Sequence, residues 1–275
     1  MSGAGLTVRA LVEEAPALHC DAVQVVPSDP RAAEGAEIVI ALGGDGTLLR
    51  AAELARPAAA ALIGVNLGHV GFLAEAERTD LDAMVGRILS HEYDVEERMT
   101  LEVVVRRADE TVATNWALND VTVEKASRQR MVDLMVEVDA RPLSLWSGDG
   151  LVVATPTGST AYAFSAGGPV VWPELEALLV VPISAHALFA RPLVVSPTSK
   201  IAIELPGDPA GAIAFCDGRR TIDLAVHDRL EITRGAAPVR LARIAGAPFT
   251  DRLVGKFHLP VRGWRGPPDD EAATS

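Results

Sequence analysis

The spacing of the apolar residues changes near Thr100, and this change divides the chain into two parts of different fold class. Up to about Tyr93, short continuous apolar runs alternate with stretches of helical spacing, which is typical of buried parallel strands joined by helices. From Thr100 onward, apolar and polar residues alternate, as they do in strands with one buried face. The sequence therefore predicts an N-terminal α/β domain with a Rossmann-like parallel sheet, followed by an all-β domain.

The elements of both domains can be located from these patterns. The α/β domain is predicted to contain a helix over Leu6–Leu18, a strand over Ala22–Val26, a buried strand over Ile38–Leu42, a helix over Thr47–Arg56, a buried strand over Ala61–Val65 and a helix over Asp80–Ser90. The β domain is predicted to be two packed antiparallel sheets that include Leu101–Val105, Val121–Val123, Leu134–Val138, Ile201–Leu205, Ile222–Val226 and Leu230–Ile232. The amphipathic segment Ala247–Arg265, which carries Phe249, Leu253, Phe257 and Trp264, is predicted to return to the first domain.

The domain boundaries follow from the same reading. Residues 1–96, completed by about 248–266, form the first domain, residues 97–247 form the second, and the polar residues 267–275 are predicted to be a disordered tail. At roughly 150 residues per domain, a chain of 275 residues has room for these two domains.

The charge and the cysteine count exclude several classes of function. With 37 acidic and 25 basic side chains the net charge is −12, which argues against a diffuse nucleic-acid or anionic-membrane surface. Two cysteines make no disulfide framework, and no pair of histidines or cysteines has the spacing of a structural zinc site, so no protein-bound metal is predicted. The N-terminal segment has acidic residues where a signal peptide needs an apolar core, and no apolar run is long enough to cross a bilayer. We therefore expect a cytoplasmic protein with no nucleic-acid or membrane partner.

A glycine-rich loop follows the first buried strand. The run Gly43-Gly44-Asp45-Gly46 lies between that strand and the next predicted helix, where backbone N–H groups and a helix N-terminus can bind phosphate. The spacing matches neither the P-loop nor the dinucleotide-binding glycine fingerprint. A carboxylate in a phosphate site repels the ligand unless it has a task, so Asp45 could accept a proton from an attacking hydroxyl or hold Mg²⁺. The alternative is a simple N-cap for the following helix.

A second polar segment lies in the β domain. The strand Leu151–Thr155 leads into Pro156–Gly168, which carries five hydroxyl groups, that of the aromatic Tyr162 included, and is preceded by Asp149. These residues could line a pocket with a stacking surface for a base, or they could be a helix-capping cluster around Ser159 and Thr160, closed by a glycine C-cap, with Tyr162 in a core. The pair Asn119-Asp120 could read an adenine edge or a ribose diol, or could be a plain turn.

Together these segments resemble the NAD kinases, in particular those of actinobacteria. The matching stretches are Ala41–Leu54, Gly64–Glu75, Trp116–Glu124, Gly148–Val170, Ser184–Pro192 and Phe249–Trp264. The combination is specific, whereas the GGDG loop alone also occurs in lipid kinases and phosphofructokinases. The resemblance implies that the α/β domain takes the phosphate donor, that the β domain binds NAD, and that the reaction phosphorylates the 2′-hydroxyl of the adenosine ribose to make NADP.

The resemblance also implies roles for individual residues. Asp45 would be the general base, and the phosphate site would contain Gly43, Gly44, Gly46 and Arg50. NAD would be bound by Asp45, Gly46, Asn119, Asp120, Arg130, Asp149, Thr157, Thr160, Ala161, Tyr162 and Ser165. The donor would be ATP, with polyphosphate as a second candidate, used with Mg²⁺ or another divalent cation, and the protein would be a homodimer or homotetramer.

Two features depart from the family pattern. Asp120 stands where the family has Glu, one methylene longer. Members of the family begin with a strand and a loop ahead of their first helix, whereas helix-like sequence begins here close to Met1. This implies either a shortened start or the lack of that strand. The property that we expect to be most affected is the affinity for the phosphate donor. Two other functions are retained as alternatives: a non-catalytic protein that binds or senses NAD, and a lipid-kinase-like enzyme that shares the GGDG loop.

Overall fold

The computed structural model describes residues 6–20, 22–66, 71–73, 76–77, 81–207, 211–244 and 248–261. The chain divides into two compact units, the first formed by Met1–Glu96 with Ala242–Ser275 and the second by Glu97–Leu241. No helix in the described ranges combines the length and the apolar character that crossing a membrane requires.

The first unit is an α/β structure. Its elements up to the second unit are β1 (Arg9–Leu11), α1 (Ala15–Leu18), β2 (Gln24–Val26), β3 (Ile38–Leu42), α2 (Asp45–Ala55), β4 (Ala61–Asn66), β5 (Ala76–Glu77), α3 (Leu81–Leu89) and β6 (Asp94–Arg98). Strands β3 and β4 pair in parallel, with Ile38 opposite Ala61. Strand β4 is buried along its whole length, whereas β3, at the end of the sheet order, is only partly buried. The parallel sheet of the prediction is confirmed.

The second unit is a sandwich of two antiparallel sheets. Its strands are β7 (Leu101–Arg107), β8 (Glu110–Ala117), β9 (Asp120–Lys125), β10 (Val132–Val138), β11 (Arg141–Gly148), β12 (Gly150–Ala154), β13 (Leu178–Ile183), β14 (Leu193–Val195), β15 (Ile201–Glu204), β16 (Ala212–Cys216), β17 (Arg220–Leu224) and β18 (Arg229–Arg234). One further strand, β19 (Val239–Arg243), follows them in the chain. The sheet orders are β11-β10-β15-β18-β7-β8 and β14-β13-β12-β9-β16-β17. One apolar core takes side chains from both sheets, such as Val103 on β7 and Val153 on β12. All six strands expected from the alternating pattern are present.

Strand β19 does not join either sheet of the sandwich. It lies between β4 and β6 in the sheet order β3-β4-β19-β6, with β5 paired to β4. Ala242 on this strand is buried in the same cluster as Ile63 and Val65 of β4 and Met84 and Ile88 of α3. The sheet of the first unit therefore takes in a strand that follows the sandwich in sequence.

The predicted helix over Leu6–Leu18 is wrong in its first half. Residues Arg9–Leu11 form strand β1, which pairs in parallel with β2, and only Ala15–Leu18 are helical. The reason is Pro16, which lies in the first turn of α1. A proline has no N–H to donate and clashes with the preceding turn, so a helix cannot continue through it from Leu6.

The polar segment after β12 folds as two short helical turns. Thr157–Thr160 form a 3₁₀ turn and Tyr162–Ser165 form α4. The expected cap by Ser159 or Thr160 is wrong, because neither turn has a side-chain cap. The predicted glycine at the C-terminus is confirmed: Gly167 has a φ of 86°, and Gly168 donates its N–H to the carbonyl of Ala163 at 2.8 Å, which is a Schellman motif.

Helix α5 (Phe249–Phe257) belongs to the first unit. The rings of Phe249 and Phe257 lie with their centroids 6.0 and 5.7 Å from that of Phe72, and Arg252 donates to the Phe72 carbonyl at 3.3 Å. The described part of the C-terminal segment thus packs within the first unit, as predicted. Trp264 and the predicted tail at residues 267–275 lie outside the described residues, as does part of the matching stretch Gly64–Glu75.

Candidate functional site

The glycine loop of the first unit leads directly into helix α2. Gly43 has a φ of 153°, and a Cβ there would lie 2.5 Å from Oγ1 of Thr47, so the position requires glycine. Gly44 is the N-cap, and its carbonyl accepts the N–H groups of Thr47 and Leu48 at 2.9 and 3.2 Å. Gly44 and Gly46 are exposed, and a Cβ at either would meet nothing within 4 Å. The start of the helix is therefore open to a ligand, and its N–H groups and dipole favour an anion.

Asp45 is the first residue of α2 and does not cap it. Its Oδ2 accepts the N–H of Phe72, and its Oδ1 accepts the N–H of Leu73, each at 3.2 Å. A Cβ on Gly71 would collide with the same carboxylate. The N-cap alternative is thus wrong, because the carboxylate is turned away from its own helix and held by the segment 71–73.

The predicted Arg50 lies on the next turn of α2 and is exposed. The hydroxyl of Ser28 and, more weakly, the charge of Arg50 lower the pKa of Glu13. The structure therefore places Arg50 near an exposed acidic side chain and does not include it in the hydrogen-bonded group around Asp45.

The second unit contains a cavity of about 410 Å³ between strand β9, helix α4 and the turn after β16. Four of the predicted NAD-binding residues line it, namely Asn119, Asp120, Ala161 and Tyr162. The other lining residues are Thr122, Glu124, Phe215, Asp217 and Gly218. Polar and aromatic groups converge on one concave surface, which is the usual form of a small-molecule site.

The backbone carbonyl of Asn119 joins the cavity wall to the polar segment after β12. It accepts the N–H of Thr155 at 2.9 Å, and the Thr155 hydroxyl donates to the carbonyl of Leu118 at 2.6 Å. A Cβ on Gly158 would collide with the same Asn119 carbonyl. This close packing brings two stretches that are far apart in the sequence into one site.

The side chain of Asn119 is buried, with 9% of the residue exposed. Its amide oxygen is inaccessible to solvent and has no hydrogen-bond partner among the described residues. Buried polar atoms are nearly always hydrogen-bonded. The side-chain amide of Asn119, a residue that lines the cavity, therefore has an unused acceptor, and a small rotation of the side chain would be needed for a ligand to reach it.

Asp120 is 5% exposed, and Thr122 donates its hydroxyl to it at 3.4 Å. Burial, with a smaller contribution from the charge of Asp217, raises the pKa of Asp120 to about 7. Near neutral pH this carboxyl group can therefore accept a hydrogen bond from a ligand hydroxyl when ionised and donate one when protonated.

Tyr162 is 40% exposed, so the alternative in which it is a core residue is wrong. Partial burial, followed by the charge of Glu124 and a hydrogen bond with it, raises the pKa of the Tyr162 phenol. The ring presents its exposed part at the cavity, where an aromatic face can stack on a planar ligand.

The remaining predicted residues of the second unit do not line the cavity. Asp149 is paired with Lys125 at 2.5 Å, and hydrogen bonds from Lys125 and Ser184 lower its pKa. Thr157 is buried and its carbonyl accepts the Thr160 hydroxyl at 3.4 Å, whereas Ser165 and Arg130 are exposed.

Sequence reasoning missed the contribution of the turn after β16. Asp217 and Gly218 have φ angles of 54° and 66°, as the tight turn of a β-hairpin requires. The sequence predicts a hairpin turn here, with Arg219 as a minor ligand candidate, whereas Asp217 and Gly218 are the residues of this turn that line the cavity. The available signal was an acidic residue at the end of an apolar strand and three positions before Arg220, which pairs with it at 2.6 Å.

Among the residues that the structure describes, no three His, Cys, Asp or Glu side chains form a group that could hold a metal ion. Mg²⁺ often binds through one carboxylate, several waters and the phosphates of a nucleotide. A single side chain such as Asp45 is enough for that mode, so the residues present fit a cation that enters with its nucleotide.

Models of two protein families match the chain. Residues 23–93 match the ATP-NAD kinase N-terminal domain, and residues 118–244 match the ATP-NAD kinase C-terminal domain. The chain is 58% identical over 266 residues to NAD kinase 2 of Streptomyces avermitilis, covering 96% of this chain and 88% of that protein. It is 56% identical over 275 residues to the NAD kinase of Thermobifida fusca, covering 97% and 84%.

Two solved structures have a similar fold. The Archaeoglobus fulgidus NAD kinase in complex with ATP superposes with a TM-score of 0.71 at 28% identity, covering 92% of this chain and 99% of that one. The yeast NADH kinase complexed with NADH superposes with a TM-score of 0.81 at 23% identity, covering 92% and 78%.

Proposed function

The chain belongs to the NAD kinase family, and from that premise we propose how its own residues carry the phosphoryl transfer that makes NADP. The activity is that of a phosphotransferase with NAD as acceptor, which separates the chain from lipid kinases that share the GGDG loop. The assignment of residues to steps is the proposal. The observation that carries it is the Asp45 carboxylate, fixed by two backbone N–H groups at the open start of a helix.

Asp45 accepts the proton of the 2′-hydroxyl of the adenosine ribose. A ribose hydroxyl is far less acidic than a carboxylic acid, so the carboxylate cannot ionise it in the ground state. The proton moves late, as the bond from the 2′-oxygen to the terminal phosphorus of the donor forms and the bond from that phosphorus to the bridging oxygen breaks, releasing the shortened donor (ADP from ATP). The main contribution of Asp45 is to align the hydroxyl and place the charge. A dehydrogenase uses an acidic side chain to bind the same ribose, whereas here the hydroxyl must remain able to attack.

The phosphates of the donor bind at the start of α2. Gly43 and Gly44 shape the turn and leave the first N–H groups of the helix accessible, with Gly46 and Arg50 as further contacts. The donor is ATP, with polyphosphate as a second substrate. Mg²⁺ or another divalent cation, when bound with the donor, would be held chiefly by the donor's phosphates and by water, and it would neutralise charge on those phosphates.

The dinucleotide binds in the cavity of the second unit. The buried amide oxygen of Asn119 and the carboxyl of Asp120 accept hydrogen bonds from it, and the exposed face of Tyr162 packs on it. The further contacts are Asp45, Gly46, Arg130, Asp149, Thr157, Thr160, Ala161 and Ser165. In this proposal residues 1–96 with 248–266 take the donor and residues 97–247 take NAD. The enzyme acts in the cytoplasm as a homodimer or homotetramer.

The test is the substitution Asp45→Asn, with Asp82→Asn as its control. Both residues are in the first turn of a helix of the first unit, and Asp82 is exposed on α3. In the presence of Mg²⁺, with either ATP or polyphosphate as the donor, Asp45→Asn should lower the rate of NADP formation by about 10²- to 10⁴-fold. The Kd of NAD, measured by calorimetry, should stay near that of the parent. An unchanged rate in Asp45→Asn would remove Asp45 from the mechanism.

A further inference from the structure

We propose that Asp217 is a positioning residue for the dinucleotide site, whose carboxylate fixes the backbone of Leu118 and Asn119 so that the side chains of Asn119 and Asp120 are presented to the cavity. The inference rests on the proposed function of that cavity. It concerns a residue that acts through its neighbours and that needs no contact with the substrate.

Asp217 holds three consecutive residues of the strand connection. Its two carboxylate oxygens accept the N–H of Leu118 at 3.0 Å, and Oδ1 also accepts the N–H of Asn119 at 2.7 Å. Its own N–H donates to the carbonyl of Asp120 at 2.9 Å. Asp217 is only 7% exposed, so these bonds are formed where water competes little for them.

The carboxylate of Asp217 is itself oriented by Arg220. The Arg220 guanidinium donates to Oδ2 of Asp217 at 2.6 Å and to the Asn115 side chain at 3.1 Å, and it lies 4.4 Å from the centroid of the Trp116 ring. A buried charge of this kind is tolerated when it is paired and hydrogen-bonded. The ion pair with Arg220 holds the carboxylate of Asp217 in the orientation in which it accepts the N–H groups of Leu118 and Asn119.

The held segment lies between two strands, since β8 ends at Ala117 and β9 begins at Asp120. The N–H groups of Leu118 and Asn119 are bound to Asp217, and the Asn119 carbonyl is bound to the N–H of Thr155 on the other side. The backbone at Asn119 is thus fixed at both its donor and its acceptor. The side-chain amide oxygen of Asn119, by contrast, has no hydrogen-bond partner among the described residues, and Asn119 lines the cavity.

Asp217 also affects Asp120 through its charge. After burial, the negative charge of Asp217 is the second cause that raises the pKa of Asp120. The other ionisable groups that line the cavity or act electrostatically on this pair are Glu124, Tyr162, Cys216 and Arg220. Neutralising Asp217 should therefore lower the pKa of Asp120, an effect that a merely structural turn residue would not have.

The test compares Asp217→Asn with Asp228→Asn by titration calorimetry with NAD. Asp228 is a chemically matched control in the same unit: it is fully buried, pairs with Arg107 through two bonds of 2.8 Å, and accepts the N–H of Ala225. Asp217→Asn should weaken NAD binding about 10- to 100-fold with a smaller change in kcat, and should move the pH midpoint of NAD binding downward. Asp228→Asn should reduce thermal stability but leave the NAD affinity and the pH midpoint of NAD binding unchanged.

Equal NAD affinity and an equal midpoint in the two Asn variants would overturn the inference. If Asp217→Asn does not fold, the variant Arg220→Lys is tested in its place. Lysine keeps the positive charge but lacks the guanidinium group that donates to both Asp217 and Asn115. A weaker NAD affinity in Arg220→Lys supports the inference, and the parental affinity overturns it. The variant Asn119→Ala distinguishes a failure of the proposed NAD site from a failure of the positioning role. If Asn119→Ala binds NAD as the parent does, the cavity is not the NAD site and the proposed function of the cavity fails. If Asn119→Ala binds NAD more weakly while Asp217→Asn binds it as the parent does, only the positioning role of Asp217 is refuted.

Discussion

The substitution Gly71→Ala should displace the carboxylate of Asp45, the proposed general base, without replacing Asp45 itself. The nearest atoms to a Cβ on Gly71 are Oδ1, Cγ and Oδ2 of Asp45, with the last two at 2.9 and 3.1 Å. The collision with Asp45 is therefore the main effect of the added methyl group.

The size of the effect can be worked from this geometry. Ordinary contact begins at 3.4 Å, so the Asp45 carboxylate must move by about 1 Å away from Gly71. A displacement of about 1 Å in a reacting group costs about 10²-fold in rate. The two hydrogen bonds from Phe72 and Leu73 would weaken at the same time, for a loss of about 1 kcal/mol each in the free energy of unfolding.

The assay is the rate of NADP formation at saturating NAD and ATP, together with urea unfolding. Gly86→Ala is the control, because Gly86 is exposed within α3 of the same unit and a Cβ there would meet nothing within 4 Å. This control should keep the parental rate and gain about 0.5–1 kcal/mol of stability from the higher helix propensity of alanine. A Gly71→Ala protein that is folded and turns over as fast as Gly86→Ala would refute the idea that segment 71–73 orients the base.

Three other predictions concern stability and binding. Because the pKa of Asp120 is raised from 3.8 to about 7, the unfolded chain loses this proton at a lower pH than the folded chain, and folding stability falls as the pH rises from about 4 to 7. Asp120→Asn should remove this loss, so its advantage over the parent in urea unfolding should grow by at most about 4 kcal/mol between pH 4 and 8. Gly158→Ala places a methyl group against the carbonyl of Asn119 and should cost about 1–3 kcal/mol and weaken NAD binding in calorimetry. Phe257→Ala removes a ring that packs on Phe72 and should cost about 1–3 kcal/mol, with a lower kcat for NADP formation because Phe72 holds the base.

Each of these predictions has a contradicting result. A pH-independent stability difference for Asp120→Asn would mean that Asp120 is already ionised in the folded protein at pH 5. Parental NAD affinity in Gly158→Ala would separate that contact from the site. A Phe257→Ala enzyme with parental kcat would show that α5 stabilises the unit without orienting Asp45.

Local patterns predicted the elements whose burial is regular. Strand β4 was found buried at Ala61–Asn66, as its continuous apolar run predicted. The bounds of β3 at Ile38–Leu42 were also predicted, but its burial on both faces was wrong, because β3 is at the end of the sheet order. The alternating strands of the sandwich were found for the same reason. The glycines of the first loop and the pair Asn119-Asp120 also pointed to a site, since strand ends with glycine and polar residues rarely serve packing.

Contacts between residues far apart in the sequence could not be predicted. The partners of Asp45 are 27 and 28 residues away, so an acidic residue at a helix start was indistinguishable from a cap. The bonds of Asp217 to Leu118 and Asn119 span 99 and 98 residues, and nothing in a turn sequence indicates them. The prediction of a helix over Leu6–Leu18 was wrong for a local reason. The apolar spacing there favours a helix, but Pro16 prevents a helix from continuing through its position.

The position of β19 in the sheet constrains the order in which the protein can fold. This strand lies between β4 and β6, yet a ribosome releases it only after the entire β-sandwich has been synthesised. Until then the earlier strands lack an inner neighbour, and their hydrogen-bonding edges and apolar faces remain uncovered. The sandwich can mature first, so folding during translation should proceed from the middle of the chain outward, and the sheet of the first unit should be completed last.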